Sequence, residues 1–152
     1  MKNAEKPQLV LIVEDNEEDY EAVIRSFKKV RVKNPFFWCR SGRMALDYLK
    51  HDGQFKDDSA ITPGLILLDL NMPGLDGQKT LRFIKEDDGL KQIPVIVLTT
   101  SGHEDDILAC QNLGADSYIQ KPVSFENLIA GIKDVKGFWF EIALQSKDKT
   151  EV

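Results

Sequence analysis

The residues of this chain best suited to chemistry are carboxylates that follow apolar runs. Glu14 and Asp15 come directly after Leu9–Val13, and Asp69 closes the run Leu65–Asp69, ahead of Leu70-Asn71-Met72-Pro73. Thr99 closes a third run, Val95–Thr99, and Lys121-Pro122 follow a weaker one over 116–120. Three carboxylates brought into one crevice repel each other unless a cation sits among them. An oxygen-only ligand set with no nearby histidine or thiolate suits Mg²⁺, or Mn²⁺ in its place, and not zinc. A carboxylate beside such a cation can act as a nucleophile toward phosphorus and form an acyl phosphate. A hydroxyl donor at Thr99 and a fixed positive charge at Lys121 are what an arriving phosphoryl group needs.

Those residues converge only if the runs carrying them share one sheet. Continuous Val/Ile/Leu runs of this length suit parallel strands covered on both faces. Two weaker strands are expected at Phe36–Cys39 and 116–120, and amphipathic stretches alternate with the five strands. Residues 17–30 space Tyr20, Val23, Ile24, Phe27 and Val30 as a helix does, and 42–50, 77–86 and 104–113 read similarly. A last helix begins at Ser124, a good N-cap. The alternation predicts an α/β fold, a doubly wound five-stranded parallel sheet with helices on both faces. In such sheets ligands bind at the carboxyl ends of the strands, near the switch in strand order. That is where Glu14, Asp15, Asp69, Thr99 and Lys121 fall. Residues 51–64 are polar and rich in breakers, and read as a long surface loop.

Taken singly, each residue has an ordinary explanation. A strand-end Asp is commonly a turn residue, and a Glu-Asp pair commonly opens a helix with a favourable dipole. It is the order and placement of the set at four strand ends that carries the reading. Composition bounds it further. The chain has 152 residues, 20 Lys+Arg against 25 Asp+Glu and a net charge of −5, with two cysteines. That is one domain of ordinary size. The acidic balance argues against a nucleic-acid partner. No apolar run approaches the ~20 residues that span a membrane, and the N-terminus does not read as a secretory signal. The expected setting is the cytoplasm. Cys39 and Cys110 are too few for a disulfide framework.

The full set resembles the receiver domain of two-component response regulators, the family of the bacterial chemotaxis regulator. Glu14-Asp15 resembles its acidic pair, the stretch from Asp69 to Gly77 its phosphoacceptor strand and loop, Thr99 its switch threonine, Tyr118 its switch aromatic and Lys121-Pro122 its lysine-proline pair. The resemblance implies a flavodoxin-like (βα)5 fold and a role for each residue. Asp69 takes a phosphoryl group from a histidine kinase. Asp15 and Asp69 bind Mg²⁺ by side chain and Asn71 by its backbone carbonyl, with Glu14 acting through water. Thr99 bonds the phosphoryl oxygen, Lys121 pairs first with the carboxylate and then with the phosphoryl group, and Tyr118 swings inward as Thr99 moves. Asn71 and Ser101 occupy the two positions on which phosphoryl lifetime depends in the family. The 51–64 loop, the Asp69–Gly77 sequence and the late Phe138-Trp139-Phe140-Glu141-Ile142 look like the small regulators partnered with cyanobacterial phytochromes.

The expected layout is a flexible N-terminus over 1–8, one receiver domain over 9–145 with an extended last helix, and a flexible tail over 146–152. Only 28 residues follow Ser124, which leaves no room for a DNA-binding or catalytic module. The chain is therefore expected to be a single-domain signalling phosphoacceptor, not a turnover enzyme, with a binding event as its output. Leu128, Ile132, Val135, Trp139 and Ile142 form one apolar stripe along the last helix. Phe138, Trp139 and Phe140 are consecutive and cannot all face one core, so they are expected at a partner surface, a homodimer through the fourth-helix, fifth-strand, fifth-helix face. Two other classes fit worse. A haloacid-dehalogenase-type phosphatase needs a second Asp where Asn71 stands, and a flavin phosphate would be repelled by the acidic run Glu14–Asp19. Trp38 and Cys39 read as core or edge packing, Cys110 as a small buried hydrophobe, and His51 and His103 as exposed loop residues.

Overall fold

The computed structural model describes residues 8–29, 33–56, 61–72, 77–133 and 135. Five parallel strands form one sheet: β1 (Val10–Val13), β2 (Phe36–Cys39), β3 (Leu65–Asp69), β4 (Val95–Thr99) and β5 (Ser117–Gln120). Their order is β2-β1-β3-β4-β5. The helices between and after them are α1 (Glu17–Lys29), α2 (Gly42–Lys50), α3 (Gly77–Glu86), α4 (Glu104–Asn112) and α5 (Phe125–Lys133). The expected α/β fold is found, with the strand ends and the ends of α1 to α4 within a residue or two of those read from the sequence.

Every residue of β1, β3 and β4 is buried, because helices cover both faces. Alternate strand residues feed two separate cores. Leu11, Val13, Ile66, Leu68, Val95 and Val97 pack under α2, α3 and α4. Val10, Ile12, Leu65, Leu67, Ile96 and Leu98 pack with Val23 and Phe27 of α1 and Leu128 and Ile132 of α5. Strand order reverses between β1 and β3, so the crevice expected for a ligand opens at their carboxyl ends.

The 51–64 segment departs from a plain surface loop. Among its described residues Gly53–Phe55 form a 3-10 turn, and Phe55 is buried. Its ring meets Tyr48 edge-on at 5.2 Å and Phe37 at 5.6 Å, and the Tyr48 hydroxyl donates to the Ile61 carbonyl at 2.8 Å. One phenylalanine in a polar run thus pins the connection to α2. His51 and His103 are exposed, and Cys39 and Cys110 are buried free thiols, as expected.

At the start of α3, Gly77 lies hard against the end of β3. A Cβ there would stand 2.4 Å from Leu70 Cα and 2.5 Å from the Asp69 carbonyl oxygen, both backbone atoms that cannot step aside. Gly77→Ala is expected to cost about 1–3 kcal/mol through overpacking, read as a lower urea midpoint at unchanged slope.

Leu128, Ile132 and Val135 of the predicted stripe are buried. Residues 1–7 of the N-terminal segment expected over 1–8, the expected extension of the last helix past 135, the aromatics Phe138, Trp139 and Phe140, and residues 146–152 of the expected tail lie outside the described residues. No helix among the described residues is long and apolar enough to cross a membrane.

Candidate functional site

Strand register builds the site. Val13 of β1 pairs with Leu68 of β3, so the next residue on each strand, Glu14 and Asp69, comes out side by side. β3 and β4 pair Asp69 with Leu98, which sets Thr99 one step further along the neighbouring strand. β4 and β5 pair Thr99 with Gln120, and the Lys121 N–H donates to the Thr99 carbonyl at 2.7 Å. Four strand ends therefore deliver Glu14, Asp69, Thr99 and Lys121 to one crevice. The Lys121-Pro122 peptide is cis.

Glu14, Asp15 and Asp69 each offer an oxygen within 4.8 Å of the others'. Glu14 and Asp69 are 0% and 1% exposed, whereas Asp15 is exposed. Burial, and after it the adjoining Asp69 carboxyl, push the Glu14 carboxyl up to about 8, against the opposing influence of Lys121 and the Asn16 N–H. Glu14 Oε1 is buried and accepts no hydrogen bond, although Lys121 Nζ lies 3.2 Å away. A buried carboxylate oxygen left without a donor, beside two further carboxylates, fits a hard divalent cation with oxygen ligands.

Lys121 is the positive counterpart. Its side chain is 7% exposed, and Nζ lies 3.0 Å from Asp69 Oδ1, 3.2 Å from Glu14 Oε1 and 2.9 Å from Asp19 Oδ2. Burial alone would lower its pKa, but the hydrogen bonds to Asp19 and Asp69 and the charge of Glu14 raise it, so it stays protonated. Asp69 Oδ1 also accepts the Asn71 N–H at 2.9 Å, which fixes the carboxylate plane. Thr99 is buried, and its Oγ1 accepts the Ser101 N–H at 3.1 Å, so its own proton remains to be donated. Tyr118 pairs with Val97, placing it on the same sheet face as Thr99, half-buried against the core under α4. A cleft of about 270 Å³ opens beside Thr99, between Leu70, Asn71 and Gln78 on one side and Ser101 and Asp106 on the other.

Three contributors were not legible as such. Asp19 belongs to the site through its contact with Lys121. Trp38, read as core or edge packing, stacks on Tyr20 at 3.8 Å and lies under the Arg40 guanidinium at 4.0 Å. Its Nε1 donates to the Glu14 carbonyl at 2.7 Å, bracing the acidic loop. The Asn71 side-chain carbonyl accepts the Thr100 N–H at 3.1 Å, tying the loop after β3 to the loop after β4. The only hint was position: each stands near a strand end or in the first turn of α1.

A parallel sheet of order 2-1-3-4-5 gathers an acidic triad, a hydroxyl and a lysine at its carboxyl edge, the arrangement of a receiver domain. This chain belongs to the response regulator receiver domain family, which matches residues 10–133. It is 38% identical over 137 residues to the probable methanogenesis regulatory protein FilR2 of Methanothrix harundinacea, covering 90% of this chain and 86% of that protein. It is 36% identical over 135 residues to the response regulator Rcp1 of Synechocystis sp., covering 89% and 90%. The Mn²⁺-bound crystal structure of Rcp1 superposes with a TM-score of 0.74 at 36% identity, over 89% of this chain and 96% of that one. The bacteriophytochrome response regulator RtBRR superposes with a TM-score of 0.81 at 34% identity, over 88% and 80%. The expected family and flavodoxin-like receiver fold are thereby established.

Proposed function

We propose that this chain accepts a phosphoryl group from a histidine kinase onto Asp69 and signals by a change in protein-protein binding. The observation that carries the reading is the position of Asp69. It is a buried carboxylate at the end of a rigid strand, held by the Asn71 N–H and Lys121 within a crevice lined by Glu14, Asp15 and Thr99. In the transfer a carboxylate oxygen of Asp69 attacks phosphorus. The P–O bond forms as the P–N bond of the phosphohistidine breaks, and the imidazole nitrogen leaves with the electron pair. Lys121 exchanges its bond to Asp69 for one to the phosphoryl group. Thr99 donates its hydroxyl proton to a phosphoryl oxygen, and Tyr118, on the same face, follows it inward. The catalysis is confined to the protein's own phosphorylation and dephosphorylation.

The side chains of Asp15 and Asp69, the backbone carbonyl of Asn71 and Glu14 through water would hold Mg²⁺ or Mn²⁺. Bound there, the cation neutralises the carboxylates and the arriving charge. Removing it with EDTA is expected to abolish transfer from acetyl phosphate, and Mg²⁺ to restore it, measured as a base-labile adduct.

The likeness to RtBRR makes a phytochrome-type kinase the first donor to try. The working site is the cytoplasm, with neither nucleic acid nor membrane as partner. The output surface is a homodimer face of α4, β5 and α5, extended by Phe138, Trp139 and Phe140. Sedimentation tests this: Phe138→Ala or Trp139→Ala should lower the mass, and an unchanged mass for both contradicts it.

A further inference from the structure

Asp19 has no part in the transfer described above, yet its Oδ2 makes the shortest of the three ion-pair contacts of Lys121, at 2.9 Å. Its backbone is fixed from two sides. Asn16 Oδ1 accepts the Asp19 N–H at 2.8 Å and caps α1, and the next residue, Tyr20, stacks on Trp38, whose Nε1 is bonded to the Glu14 carbonyl. An ammonium has three donors. Here its three carboxylate neighbours come from three places: Glu14 after β1, Asp69 at the end of β3 and Asp19 in the first turn of α1. Asp69 is the group that changes its chemistry during transfer. The Glu14 contacts are longer, at 3.2 and 3.4 Å. Asp19 alone lies outside the acidic triad, at the solvent edge, with its side chain 36% exposed.

We propose that Asp19 is a positioning residue for Lys121. It holds the ammonium at the rim of the crevice while the bond to Asp69 is exchanged for one to the phosphoryl group. The inference rests on the proposed function and adds a residue to it. The plainer role of an acidic residue in a first helical turn is to complement the helix dipole. That role would be indifferent to the presence of Lys121, and the test turns on this difference.

The full chain is phosphorylated with acetyl phosphate and Mg²⁺ and followed by intact mass, as wild type, Asp19→Asn and Asp19→Ser. Loss of one charge-assisted hydrogen bond is expected to lower the limiting rate about tenfold. The acetyl phosphate concentration giving half the limiting rate should be little changed. In a Lys121→Met background, Asp19→Asn should have no further effect, because the pair is already broken. An unchanged limiting rate, or an equal loss in both backgrounds, overturns the proposal. A readout independent of transfer is the ¹⁵N resonance of the Lys121 ammonium. It should be protected from solvent exchange in wild type and lost in Asp19→Asn; its survival there also overturns the proposal. If wild type takes up no phosphoryl group at all, the proposed function fails, and the ammonium resonance still decides whether Asp19 holds Lys121.

Discussion

Asp69→Asn is expected to abolish the phosphoryl adduct while leaving the protein folded. An amide oxygen is too weak a nucleophile to form the acyl phosphate, and among the described residues no second carboxylate has the same setting. Asp15 is exposed and Glu14 is pushed up to about 8 by burial and by its neighbour. The loss should exceed about 10³-fold in initial rate, the scale seen when a nucleophile is removed. The fold should survive because Lys121 keeps Glu14 and Asp19 as partners and because one fewer carboxylate crowds the crevice. Intact-mass analysis after acetyl phosphate treatment reads the first effect and thermal melting the second. A persistent adduct would place the acceptor elsewhere.

Lys121→Met should have the second largest effect, and it acts on stability and function together. The methionine keeps the volume of the aliphatic stem but removes the ammonium that contacts Glu14, Asp69 and Asp19. Stripping the partner from buried charge costs about 3–5 kcal/mol. Chemical denaturation in EDTA should show a loss of that order. Mg²⁺ should restore part of it, since a ligand that binds only the folded state stabilises it by mass action. Phosphorylation with Mg²⁺ present should fall about 10²-fold, in line with removal of one preorganised electrostatic contact. A variant as stable as wild type in EDTA would contradict the pairing described here.

Much of this site is legible in the amino-acid sequence, for a physical reason. A parallel strand buried on both faces admits no polar residue until it ends, so Asp69 and Thr99 mark their strand ends by composition alone. Which ends are neighbours follows from the common strand order of five-stranded doubly wound sheets, 2-1-3-4-5, which this sheet has. Asp19 was not readable in this way. Its partner lies 102 positions away, and the contact depends on where the first turn of α1 lies relative to the end of β5. In the sequence it is one acidic residue among several that suit a helix start. Trp38 was hidden for a similar reason, because an indole near the end of a strand looks the same whether it fills a core or braces a loop. Phe55 illustrates the converse: one apolar residue in a polar run was outvoted by its neighbours, although its burial anchors the segment.

The central claim is that Asp69 is a phosphoacceptor, and its most direct test is the mass of the wild-type chain after incubation with acetyl phosphate and Mg²⁺. The expected result is the gain of a single phosphoryl group, stable in acid and labile in base, with fragmentation placing it on Asp69. No gain in mass, or a phosphoryl group on a residue other than Asp69, would contradict the account.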